Sequence, residues 1–221
     1  MRNLVLYLTL IKNKMEQKNK ATNFNNQEAI YNKNKATDFN NKGTIFHKNK
    51  QYCKAIKCYN EAINFDSENH VFYGNRGDAY FKQEKYNEAI SNLNNAINLN
   101  KDTLKYYELR ACAYLKQKQY NKVILDLTQT IKLNPENSEY YNIRGNSYKE
   151  LKNYIMAITD YKTAIKLDSE EIVYRKNLND VNQKLEEKTS NKLNFKEEGH
   201  CFALEKRRYE INIKANCCAI Q

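Results

Sequence analysis

YGNRGDAYFKQEKYNEAISNLNNAINL (73–99) holds two helical patterns separated by a short polar break. In the first, residues 73–81, an aromatic, a small residue and another aromatic recur at helical intervals, so that one face is apolar. In the second, residues 86–99, Ala89, Ile90, Leu93, Ala96 and Ile97 do the same. The stretch predicts a helix pair, and it recurs with a 34-residue period. Phe39, Tyr73, Tyr107 and Tyr141 fall in register, followed by Gly43, Gly77, Ala111 and Gly145 and then by Phe46, Tyr80, Tyr114 and Tyr148. In the second helices Tyr52, Tyr86, Tyr120 and Tyr154 lead into Ala55, Ala89, Val123 and Ala157. Ile56, Ile90, Ile124 and Ile158 come next, and Ala62, Ala96, Thr130 and Ala164 close the pattern.

The small residues predict close approach of two helix backbones, with the aromatic side chains filling the space on either side. Between units stand DSEN (66–69), NKDT (100–103), NPEN (134–137) and DSEE (168–171), which combine N-capping side chains with turn residues. Pro135, the one proline of the chain, lies in such a turn.

These columns resemble the tetratricopeptide repeat pattern W-x2-L-G-x2-Y, then A-x3-F, A and P. The resemblance covers residues 36–171, with Phe or Tyr in place of tryptophan and Lys42, Arg76, Arg110 and Arg144 in the leucine column. The third unit departs most, with Ala111, Val123 and Thr130 at small-residue positions. The fold implied is all-α, a right-handed superhelical solenoid of antiparallel helix pairs. Its expected parts are a basic N-terminal flank with a partial duplicated helix (1–35), four repeats (36–69, 70–103, 104–137, 138–171), a capping helix (172–188) and a C-terminal tail (189–221). The cap is expected because Tyr174, Leu178, Val181 and Leu185 form one more amphipathic stripe with a polar outer face.

In the flank, KNKATNFNNQEAIYN (18–32) is a near-copy of KNKATDFNNKGTIFH (33–47), the first helix of repeat one. It reads as a weakly packed remnant of duplication; an extra packed helix is the alternative. LVLYLTLI (4–11) is too short to span a bilayer, and no small-residue cleavage site follows it. Of the formal charge of +11, residues 1–35 carry seven basic and two acidic groups, residues 36–188 carry 24 and 20, and residues 189–221 carry six and four. The repeat body is thus close to balanced. Its lysines read as solvated helix faces, and no specific nucleic-acid partner is expected.

The resemblance implies a noncatalytic module in which the first helices line a groove for an extended or helical segment of a partner protein. On those helices Lys48, Lys82 and Lys116 form one lysine column, broken by Glu150, which would favour acidic character in the partner. A subgroup of the family, co-chaperones for the acidic C-termini of heat-shock chaperones, grips a terminal carboxylate with five side chains. At the matching positions this chain has Asn40, Thr44, Asn75, Lys105 and Leu109, so the clamp lacks its first lysine and its arginine fork. The expected groove therefore comprises Asn40, Thr44, Lys48, Asn75, Lys82, Lys105 and Lys116.

Arg110 and Arg144 each precede an acid by sixteen residues, Asp126 and Asp160, which predicts ion pairs within a repeat. His47, His70 and His200 are scattered, and no phosphate loop, HExxH helix or nucleophile elbow is present, so neither catalysis nor a cofactor or metal is expected. Cys53, Cys58 and Cys112 read as small buried or groove residues of a reducing, cytoplasmic compartment. The C-terminal Cys218-Ala219-Ile220-Gln221 fits C-a-a-X, with Cys217 and the basic Lys206, Arg207, Arg208 and Lys214 nearby. If Cys218 is prenylated, the scaffold is tethered to a cytoplasmic membrane face.

Overall fold

The computed structural model describes residues 2–189, with side chains from Lys14 onward except at residues 16 and 19–22. The chain divides into two compact units, Met1–Leu133 and Asn134–Gln221. In the first, α1 (Arg2–Lys48), α2 (Tyr52–Phe65), α3 (His70–Lys82), α4 (Tyr86–Leu99), α5 (Leu104–Lys116) and α6 (Tyr120–Leu133) follow one another. Each packs on the next, and the first helices α1, α3 and α5 also touch in sequence, so they form one continuous face. The second unit holds α7 (Ser138–Glu150), α8 (Tyr154–Leu167) and a further helix, α9, over residues 172–189. Every described element is helical.

The turn inside each pair has one chemistry. Lys50, Glu84, Lys118 and Lys152 adopt left-handed backbone, with φ of 58°, 60°, 56° and 59°. The residue after each donates back to the carbonyl of Phe46, Tyr80, Tyr114 or Tyr148 at 2.9–3.0 Å. These are Schellman closures, which satisfy the last carbonyls of the first helix and reverse the chain. At the opposite end, Asn69 and Asn137 accept the N–H of Val71 and Glu139, each at 3.0 Å, and so cap α3 and α7.

Packing within a pair turns on residues sixteen apart. An added Cβ on Gly43 would lie 2.6 Å from Cε1 of Tyr59, and one on Gly145 2.9 Å from Cε1 of Tyr161. At Gly77 the facing residue is the smaller Leu93 and the distance is 3.1 Å; at Ala111, where a methyl is present, the residue sixteen further on is Leu127. The two columns therefore vary together in size. Gly74 has a different reason: a Cβ there would overlap the Tyr106 ring of the following repeat. Thr130 is fully buried, its hydroxyl donating to the Asp126 carbonyl at 2.9 Å, so a polar residue in the alanine column is satisfied.

α1 runs unbroken through the near-copy at 18–32, with no proline or glycine before Gly43 to stop it. Phe39 stacks on Phe65 at 5.7 Å. Its counterpart Phe24 is 67% exposed, and Tyr31, the counterpart of Phe46, is 58% exposed. The first copy lacks a second helix, and it buries little. At the other end, Val181 and Tyr161 are fully buried with Ala157, so α9 closes the last pair. Residues 190–221, with His200, Cys201, Lys206, Arg207, Arg208, Lys214, Cys217 and Cys218, lie outside the described residues. So do the side chains of the apolar run 4–11, and no described helix is long and apolar enough to cross a membrane.

Candidate functional site

The first-helix face of unit 1 brings the expected groove residues onto α1, α3 and α5. Asn75 on α3 donates its side-chain amide to Asn40 Oδ1 on α1 at 2.8 Å, so these two amides are already bridged. Asn177 and Asn142 repeat the bridge in unit 2 at 2.9 Å. Thr44 turns inward: its hydroxyl donates to the Asn40 carbonyl at 3.0 Å and is also hydrogen-bonded to Tyr59. Lys105 is exposed on α5, whereas Leu109 packs against the cluster of Leu93, Ala96, Ile97, Tyr106 and Tyr107. An arginine fork is thus replaced by a core side chain.

Lys48, Lys82 and Lys116 end α1, α3 and α5, and all three are exposed. Among the described residues neither they nor Lys105 forms an ion pair. Unit 2 differs. Lys149 and Lys184 both reach Asp180 Oδ2, at 3.0 and 3.1 Å, and the two ammonium groups hold the Asp180 carboxyl below the usual carboxylate range.

One feature of this face, with its counterpart in unit 2, escaped the sequence reading. His47 Nε2 lies 3.4 Å from Asp78 Oδ2, linking α1 to α3, while the ring meets Tyr52 edge-on at 5.2 Å. His47 and Asp78 are thirty-one residues apart, as are Lys149 and Asp180. A search for a lysine, arginine or histidine and an acid at that spacing would have found both.

The arginine column does structural duty. Arg110 donates to both Asp126 oxygens at 2.9 and 2.6 Å and reaches back to Asn94 Oδ1 at 2.6 Å, joining α5 to α6 and α4. Arg144 holds Asp160 in the same bidentate way at 2.8 and 2.7 Å. The expected intra-repeat pairs are therefore present. Arg76 meets neutral acceptors, Asn92 at 2.6 Å and Asn60 at 2.7 Å. Burial lowers the Arg76 guanidinium below its ordinary range. Burial opposes the charge on Arg110 too, but the bonds to Asp126 hold it above that range. Of the cysteines, Cys58 is buried, while Cys53 and Cys112 are exposed. Cys53, on the outer side of α2, accepts from Gln83 Nε2 at 3.1 Å.

Family models described as TPR repeat and tetratricopeptide repeat match residues 43–83 and 77–118, and 104–137 and 138–171. Comparison with curated proteins gives no significant match. Among solved structures, MamA from Desulfovibrio magneticus RS-1 is 19% identical, with a TM-score of 0.64 over 71% of this chain and 88% of that one. YrrB, described as a TPR protein with an unusual peptide-binding site, is 17% identical, with a TM-score of 0.62 over 67% and 76%. The first TPR of Spaghetti (RPAP3), bound to the HSP90 peptide SRMEEVD, is 30% identical, with a TM-score of 0.52 over 54% and 95%. Repeat columns, Schellman-closed helix pairs, family models and helical-repeat solenoid neighbours agree, and the chain belongs to the tetratricopeptide repeat family.

Proposed function

We propose that this protein is a noncatalytic interaction scaffold that takes an acidic, extended or helical segment of a partner protein on the first-helix face of unit 1. One observation carries the reading: on the first helices that also carry the bridged Asn40 and Asn75 amides, Lys48, Lys82, Lys105 and Lys116 are exposed and form no ion pair among the described residues. Protein binding is the activity of the family, and the Spaghetti repeat, bound to a peptide with three acidic residues in seven, supports the choice of an acidic ligand.

A labelled SRMEEVD peptide titrated into the full chain tests this. Each exposed lysine contributes up to about 1 kcal/mol to an ion pair, so Lys48→Ala, Lys82→Ala and Lys116→Ala together weaken binding about tenfold, and added salt weakens the parent chain similarly. Unchanged affinity in the triple variant refutes the acidic ligand. The co-chaperone form of the reading is supported by Asn75 and Lys105 and opposed by Asn40, Thr44 and Leu109, which stand where the clamp has lysine, asparagine and arginine. It requires that Lys105→Ala abolish binding and that amidation of the peptide carboxylate cost as much; little effect from amidation leaves side-chain carboxylates as the recognised groups. CAIQ (218–221) supports a separate reading, a prenylated tether, which requires that Cys218→Ser release the protein from membranes.

A further inference from the structure

His70 opens α3, and its two ring nitrogens have partners in the turn that ends its own repeat and in the first helix of the next. Nδ1 lies 2.7 Å from the Tyr106 hydroxyl on α5, and Nε2 lies 3.2 Å from Asn100 Nδ2 in the turn before α5. The Asn100 amide is pinned, because its Oδ1 accepts the Asp102 backbone N–H at 3.0 Å. The group it turns toward the ring is therefore the NH2 donor, so Nε2 accepts and Nδ1 carries the proton that goes to Tyr106. A second proton, on Nε2, would set donor against donor. The amide could accept it only by turning over, which would strip the Asp102 N–H of its acceptor.

We propose that this joint is a proton-sensitive latch: neutral His70 ties α3 to both the Asn100 turn and α5, and protonation at Nε2 breaks the tie to the Asn100 turn. The equivalent joints have no such group. Between the first and second repeats the same positions are the buried Ala36 and Phe72, and in unit 2 the Ser138 hydroxyl meets the Tyr174 hydroxyl at 3.1 Å. The charged residues nearest in sequence to this joint are Asp66 and Glu68 in the turn before α3, Lys101 and Asp102 in the turn before α5, and Lys105 next to Tyr106 on α5. Among the described residues none forms an ion pair with His70. Because the Asn100 turn leads into α5, which carries Lys105, acidification would also loosen one edge of the proposed binding face. The latch itself rests on the joint alone, and its test uses no ligand.

The test is hydrogen exchange of α3 and α5 amides in the full chain, corrected for intrinsic rates, at pH values of about 5 and 8 that bracket ordinary imidazole titration. In the parent chain the opening constant rises about tenfold on acidification, as the Nε2–Asn100 hydrogen bond gives way to two opposed donors while Nδ1–H still donates to Tyr106. His70→Ser, which copies Ser138, removes most of that rise. Asn100→Asp places a carboxylate where Asp66 and Asp168 stand in other repeats, each accepting a backbone N–H two residues on. It retains the turn bond and offers protonated Nε2–H an acceptor, so acidification now lowers the opening constant. The His47–Asp78 pair is common to all three chains and cancels in the comparison. An identical pH response in His70→Ser and the parent overturns the latch. So does a parent-like response in Asn100→Asp, which keeps the proposal testable should His70→Ser fail to fold.

Discussion

Gly43→Ala is the most direct perturbation of the helix pair. The new methyl would lie 2.6, 2.8 and 3.1 Å from Cε1, Cδ1 and Cζ of Tyr59, against about 3.5–4.0 Å for an ordinary carbon contact. Tyr59 is 1% exposed and hydrogen-bonded to Thr44, so its ring has nowhere to turn and the backbones of α1 and α2 must part by several tenths of an ångström. Overpacking of this kind costs about 1–3 kcal/mol; at 2.6 Å the upper half of that range, about 2–3, applies, and the gain in helix propensity on replacing glycine returns about 1, leaving a net loss of about 1–2 kcal/mol. Gly77→Ala meets Leu93 Cγ at 3.1 Å, Leu93 Cδ2 at 3.3 Å and the Ala89 carbonyl oxygen at 3.4 Å, a milder clash that the helix-propensity gain offsets, and should change stability by less than about 0.5 kcal/mol. The decisive comparison is the cycle of Gly43→Ala, Tyr59→Leu and the double variant, which recreates the alanine and leucine of repeat three. Urea unfolding followed by helical circular dichroism, with hydrogen exchange to localise the change to α1 and α2, should give a coupling energy of at least about 1 kcal/mol favouring the double variant. Additive single effects, or a Gly43→Ala chain as stable as its parent, would refute the pairing of these two columns.

Replacing Lys50, Glu84, Lys118 or Lys152 with glycine should raise stability by about 0.5–1 kcal/mol each, because each holds a left-handed φ that glycine adopts freely; unchanged urea midpoints would count against strain in these turns. Asp126→Asn should cost about 1–2 kcal/mol by exchanging bidentate, charge-assisted bonds for the neutral contact that Arg76 makes with Asn92, and a loss below about 0.5 kcal/mol would show that the charge is dispensable. Burial raises the phenols of Tyr59, Tyr106, Tyr107, Tyr114 and Tyr161 above their ordinary value of about 10. Groups raised in the folded state give stability that is complete below the unfolded value and lost as pH rises through the folded one, so unfolding should set in above about pH 10 and coincide with tyrosinate absorbance. Tyrosinate appearing well before helix loss would contradict that linkage.

What the sequence determined by itself is everything that recurs. A period carried by Phe or Tyr, a small residue and a second aromatic specifies a helix pair regardless of surroundings, because one turn of helix brings these residues to one face. The Arg110–Asp126 and Arg144–Asp160 pairs were legible for the same reason: their sixteen-residue spacing lies inside one repeat. Groove positions could be carried over column by column, but not their state. Only the tertiary structure shows that Thr44 is spent on Asn40 and Tyr59, that Asn75 bridges to Asn40, and that Lys48, Lys82, Lys105 and Lys116 form no ion pair among the described residues while Lys149 shares Asp180 with Lys184. It also decided the fate of the duplicated segment, since an apolar stripe specifies a helix but not whether anything lies against it: Phe39 found Phe65, and Phe24 found solvent. The His70 latch belongs to the tertiary structure as well. It depends on which end of the Asn100 amide faces the ring, and that orientation is set by a backbone N–H two residues away.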